Sequence, residues 1–243
     1  EKAERALLTA LVAMVYFSKG GKGTLLDVVE LLSRMTASEQ NEEALSSVDE
    51  LFLSTKDYIA EYEKNPDSDP ASAKMFEGLR FACSQYNVYT QGAGETKKSV
   101  IISLGVRMAP LHMAPMRRIL GSDTIKADQI GMRPTALFLV IPDTHQAFNF
   151  LASIFYETFF EKNIYIADHS GGRLPVPVQC YMDEFANIGK MPSFERKIAV
   201  MRSRGISTSV ILQNYSQGKA LYKDDWETIV GNCDSLLFLG GNE

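Results

Sequence analysis

Along the first 131 residues, apolar side chains recur at every third and fourth position, the spacing that gathers them on one face of an α-helix. Ala3, Leu7, Leu8, Leu11, Val12 and Val15 make the first such stripe, and Gly20-Gly21 ends it. Thr24 can cap a second helix carried by Leu25, Val28, Val29 and Leu32. Ser47, with Glu50 three positions on, has the form of a capping box, and Leu51, Phe52, Tyr58, Ile59 and Tyr62 form the stripe behind it. Residues 65–70 (NPDSDP) break the pattern. A long helix over 71–89 then lines up Met75, Leu79, Ala82 and Tyr86, and Gly92-Ala93-Gly94 separates it from another at 96–108. No interior segment here reads as a strand, so this half predicts an all-helical bundle.

After Gly131 the pattern changes to short, continuous apolar runs between helical stretches. Residues 135–141 (TALFLVI), 176–182, 207–212 (STSVIL) and 235–239 (SLLFL) read as strands. Helices are predicted over 146–166, 192–202 and 224–230. Strands buried on both faces and alternating with helices indicate a parallel α/β sheet. The expected organisation is therefore an all-α domain over 1–131 joined to an α/β domain over 132–243.

Bulk properties narrow the function classes. The 243 residues are 45% hydrophobic, enough for a substantial core, and the mean hydropathy is −0.10. No window approaches the ~18 uninterrupted apolar residues of a membrane span. Cys83, Cys180 and Cys233 are far apart and odd in number, which fits reduced thiols rather than a disulfide framework. His112, His145 and His169 have no metal-ligand spacing, so a zinc enzyme is not expected. The chain begins within a helical pattern and stops just after an apolar run, as a piece of something longer would.

Net charge is −5, which argues against a protein that simply coats DNA. The charge is unevenly spread. Residues 1–80 hold 9 basic and 15 acidic groups, residues 81–135 hold 7 and 3, and the remainder 9 and 12. Lys97, Lys98, Arg107, Arg117 and Arg118 lie in the basic segment. They mark a candidate surface for DNA or protein cargo, against the simpler account of a solvated helix face.

Candidate chemistry gathers at the ends of the predicted strands, where ligands of parallel sheets bind. The run VPVQCYMDE at 176–184 reads as a buried strand that delivers Asp183 and Glu184 at its C-terminal end. In a nucleotide triphosphatase, such a pair would hold a Mg²⁺-bound water (Asp183) and polarise the water attacking the γ-phosphate (Glu184). Gln213 ends the neighbouring predicted strand, where it could hold the attacking water. Arg202 and Arg204 close the intervening helix, from which a guanidinium could reach a phosphate in its own subunit or a neighbour's. The phosphate cradle is missing: GxxxxGK[ST] does not occur, and Gly20-Gly21-Lys22-Gly23-Thr24 reads as a turn.

Residues 134–243 resemble the nucleotide-binding domain of conjugative coupling proteins, the TraG/TraD-like ATPases of type IV secretion systems in the FtsK–HerA group. The runs that carry the likeness are TALFLVIPDT (135–144), FNFLASIFYETFF (148–160), 171–207 around YMDEFANIGKMPSFERKIAVMRSRG, VILQNYSQ (210–217) and 224–243. Residues 1–13 (EKAERALLTALVA) look like the helix those proteins carry after their P-loop region, so 1–18 would belong to the nucleotide-binding domain. The likeness implies a partial RecA-like parallel sheet without its P-loop strand, plus the all-α domain. It also implies Asp183 and Glu184 as the Walker B pair, Gln213 as sensor and Arg202 as arginine finger. ATP and Mg²⁺ would serve the full-length protein, with none bound to this piece, which lacks Walker A. By the same resemblance the parent would be a membrane-anchored homo-hexamer with this portion in the cytoplasm. Its partners would be a relaxase, relaxosome accessory proteins, single-stranded DNA and secretion-channel components. The alternatives are a non-catalytic module that recognises a relaxase or accessory protein, and another hexameric DNA translocase of the FtsK type.

Overall fold

The computed structural model describes residues 2–37, 45–141 and 148–240. The chain divides into two compact units, Glu1–Asp123 and Thr124–Glu243. Among the described residues the first unit contains only helices: α1 (Lys2–Ser18), α2 (Leu25–Ser33), α3 (Ser47–Lys64), α4 (Pro70–Thr90), α5 (Gly94–Met108), a 3-10 turn (Ala109–His112) and α6 (Ala114–Leu120).

Helix α1 is the apolar centre of this unit. Leu7, Ala10 and Leu11 are wholly buried, and α1 lies along α4. Gly78 of α4 permits the contact, because a Cβ there would come within 2.3 Å of the Phe17 ring. Phe52 of α3 stacks on Tyr86 of α4 with ring centroids 3.8 Å apart, and the Tyr86 hydroxyl donates to Asp49 Oδ1 at 2.7 Å. Thr24 caps α2 as expected: its hydroxyl accepts from Asp27 N–H, and Asp27 Oδ2 accepts from Thr24 N–H. The cap of α3 is Ser46 with Asp49, one residue before the predicted Ser47–Glu50 pair. Both pairs fit the sequence form, and Val48 and Phe52 behind the cap are buried.

The second unit contains α7 (Asn149–His169), β1 (Val178–Met182), a 3-10 turn (Phe185–Ile188), α8 (Phe194–Met201), β2 (Ile206–Val210), α9 (Tyr215–Tyr222) and α10 (Asp225–Gly231). The two strands pair in parallel, with Val178 opposite Ile206 and Met182 opposite Val210. The shared face of Val178, Cys180, Met182, Ile206 and Val210 packs into a core with Phe160, Phe185, Phe194, Tyr222 and Trp226. The architecture is thus a mixed α/β fold, mostly helical, with a small two-stranded parallel sheet.

Two predicted strands are not strands here. Residues 135–141 and 235–239 have no regular secondary structure and leave Phe138, Val140, Leu237 and Leu239 largely exposed. An apolar run becomes a strand only when a neighbouring edge accepts its backbone hydrogen bonds, and neither run has one among the described residues. Helix α9 was not foreseen, although Asn214 and Gln217 have the form of a capping box and act as one. The predicted start of the 146–166 helix lies outside the described residues.

Candidate functional site

Two parallel strands that advance in step deliver whatever follows them to the same end of the sheet. Beyond β1 and β2 the pairing continues, with Ile211 N–H donating to Met182 O at 3.1 Å and Phe185 N–H to Ile211 O at 3.0 Å. Asp183-Glu184 and Gln213 are therefore carried to one place, and Gln213 Nε2 donates to Glu184 Oε1 at 2.6 Å. Of the sequence-predicted residues, these are the ones brought together.

Neighbouring packing fixes the couplet. Met182 before it and Phe185 after it are buried, so the chain must turn out of the core and back within two residues. It does so with Glu184 in the left-handed region, φ 49° and ψ 48°, a conformation uncommon for a side chain of this kind. Asp183 Oδ1 accepts from Glu184 N–H at 3.1 Å within this turn. Phe185 stacks on Tyr222 with ring centroids 5.6 Å apart, and the Tyr222 hydroxyl accepts from Met191 N–H at 3.2 Å. Gly189, at φ 83°, closes the turn in a conformation that favours glycine. Burial pushes the Tyr222 hydroxyl up to about 12 and, inside β1, the Cys180 thiol up to about 12. Cys180 packs against the core of the unit.

Asp183 is exposed and Glu184 half-buried. Among the described residues no three or more His, Cys, Asp or Glu side chains cluster as a metal-holding group. Mg²⁺ keeps most of its waters where it is bound, so a site for it asks few carboxylates of a protein. Asp183 is the residue that would hold it through water.

Arg202 does not join this group. Helix α8 runs back from the couplet, so Arg202 precedes β2 while Gln213 follows it, ~15 Å or more away at the rise of a strand. Within one chain, Arg202 therefore lies at the opposite end of the strand pair from the carboxylates. Its guanidinium instead donates to Asp234 Oδ1 at 2.9 Å, both side chains being exposed. Arg204 donates to Asp168 Oδ1 at 2.9 Å. Asp234 was not singled out in the sequence, where its sole signal is an acid beside an apolar run.

The candidate basic residues lie in the first unit. Lys97, Lys98 and Arg107 are on α5, and Arg117 and Arg118 on α6. Arg107 reaches Glu4 at 3.7 Å. The Gly20–Gly23 turn is no phosphate cradle, because Thr24 is committed to capping α2 and a Cβ on Gly23 would meet Val15 at 2.3 Å. Among the described residues no helix is long and apolar enough to cross a membrane.

Residues 177–243 match the family described as the TraM recognition site of TraD and TraG. Over that stretch the chain matches a conjugative coupling protein. The matched stretch takes in β1, the acidic couplet, β2 and Gln213. No curated protein matches the chain.

Proposed function

We propose that this chain is part of a conjugative coupling ATPase, in which an all-helical cargo-recruiting domain is joined to part of a RecA-like core that energises DNA transfer to a secretion channel. The observation that carries the reading is the 2.6 Å contact between Glu184 and Gln213 at the C-terminal end of a parallel strand pair. It lies inside the coupling-protein segment. In the parent protein, Glu184 takes the proton of the attacking water and the Gln213 amide orients that water; Asp183 would hold Mg²⁺ through a bound water, and the ion would supply charge neutralisation on the phosphates. The exposed apolar runs at 135–141 and 235–239 favour a larger sheet whose remaining strand lies elsewhere in the parent. Arg202 acts on a neighbouring subunit's nucleotide, since its own carboxylates are at the opposite end of the sheet. That role requires the homo-hexamer, which would be membrane-anchored with this portion in the cytoplasm.

The test is Glu184→Gln in the full-length protein. ATP hydrolysis is expected to fall by at least ~100-fold with hexamer assembly intact; unchanged turnover refutes the assigned base.

A second reading is favoured by the description of the matched family as a recognition site for TraM. On that reading residues 177–243 bind a TraM-like relaxosome protein whether or not they hydrolyse ATP. Retention of such a protein by the Glu184→Gln variant, with affinity unchanged, separates recognition from turnover.

A further inference from the structure

Helix α5 turns Val100 and Leu104 into the core of the first unit, yet the opposite side is not a polar face. Ile102 is 56% exposed and Val106 70% exposed, and with Lys98 they form an i, i+4, i+8 stripe. Helix α6 repeats the pattern: Met116 is buried while Arg117, Arg118 and Ile119 face out, with Met113 exposed at its start. Both helices pack on α2 and on the Ala109–His112 turn. Within α5, Gly105 has nothing within 4 Å of where a Cβ would stand. A glycine inside a helix costs ~1 kcal/mol against alanine, and here no packing within the unit asks for it. It leaves a notch in the helix surface between Ile102 and Val106.

The chemistry of these two exposed helix sides selects among partners. From residue 91 to residue 137 there is no Phe, Tyr or Trp, in a chain with 13 Phe, 10 Tyr and 1 Trp. Single-stranded nucleic acid is held by a basic groove together with aromatic platforms for the bases. Membrane-surface helices likewise anchor with aromatic as well as aliphatic side chains. Aliphatic side chains among cations, with a notch for close approach, instead complement a helix that carries aliphatic anchors flanked by carboxylates.

We propose that the outer faces of α5 and α6 dock an acidic amphipathic helix of a partner protein. Ile102 and Val106 would receive its apolar side chains, Gly105 would let its backbone approach, and Arg117 and Arg118 would face its carboxylates. This deepens the cargo-recruitment part of the proposed function and is independent of the hydrolysis assigned to Glu184.

The experiment is selection of a randomised helical-peptide library on the full chain. The recovered peptides are then measured against the chain, its Ile102→Asp/Val106→Asp variant and its Arg117→Glu/Arg118→Glu variant, with thermal melts confirming that each variant folds. Expected are peptides rich in Asp and Glu with aliphatics at i, i+3 or i+4, losing at least about tenfold in affinity on either variant. Gly105→Leu is expected to weaken them without lowering the melting temperature, since it removes a helix-interior glycine and meets nothing in the unit. Enrichment of basic peptides, failure to enrich any, or affinity indifferent to both variants overturns the proposal. So does tighter binding of oligo-dT or of phosphatidylglycerol vesicles to the same residues. Either failure leaves the Glu184→Gln result unaffected.

Discussion

Lys197 of α8 sits with its side chain only 12% exposed between Glu157 and Glu161 of α7. Its ammonium also donates to Pro192 O at 3.3 Å. An ammonium in that position is stable because carboxylates and a carbonyl replace the water it loses. Lys197→Met would leave Glu157 half-buried without its cation, and we expect a loss of up to about 3 kcal/mol, the low end for orphaning a buried charge. Denaturant unfolding measures it. A loss under ~0.5 kcal/mol would mean that the pair behaves as a surface ion pair. The exposed Arg202–Asp234 contact is of that weaker kind, so Asp234→Asn should leave stability within about 0.5 kcal/mol while freeing Arg202.

At the scale of elements, close approach decides what sequence periodicity leaves open. Helix propensity favours alanine over glycine by ~1 kcal/mol, so a propensity scale predicts that Gly78→Ala stabilises α4. The Phe17 ring at 2.3 Å predicts the reverse, because overpacking of this kind costs about 1–3 kcal/mol. We expect a lowered melting temperature for Gly78→Ala, and a raised one would mean that α1 does not lie against α4 as described. The longer helices were legible because they carry a long apolar stripe, and α4 and α5 differ from their predicted bounds by at most two residues, whereas α6, seven residues long, was not foreseen. Helix α9 was missed because it is short and weakly apolar, and its signal was the cap alone. The runs at 135–141 and 235–239 were read as strands on composition, but composition states only that a segment can pair. A partner edge decides whether it does.

At the scale of the whole molecule, both units bury tyrosines whose ionisation they oppose. Burial raises Tyr222 from 10.0 to about 12 in the second unit. In the first, burial and then the hydrogen bond to Asp49 raise Tyr86, while burial and the charge of Asp49 raise Tyr89. A hydroxyl whose folded pKa exceeds its unfolded value contributes stability that is complete below pH 10 and is lost as pH rises from 10 through 12. Both units should therefore unfold in alkali, the last part of the tyrosinate absorbance, from the buried rings, rising together with loss of helical circular dichroism above about pH 10. Tyrosinate forming fully by pH 11 without loss of helicity would mean that these rings are accessible.

The sequence by itself determined the helical character of the first half, the change of period near residue 131, and the identity of the couplet and the glutamine. Those features are local: side-chain spacing, a Thr cap, two carboxylates next to each other. Tertiary structure alone decided that Glu184 and Gln213 meet, because that depends on the register Met182 opposite Val210 across strands joined by a helix. It also decided that Arg202 lies at the other end of the sheet, since the direction in which a crossover helix returns is a property of the packed chain. Whether an apolar run finds an edge is likewise long-range, and no periodicity encodes it.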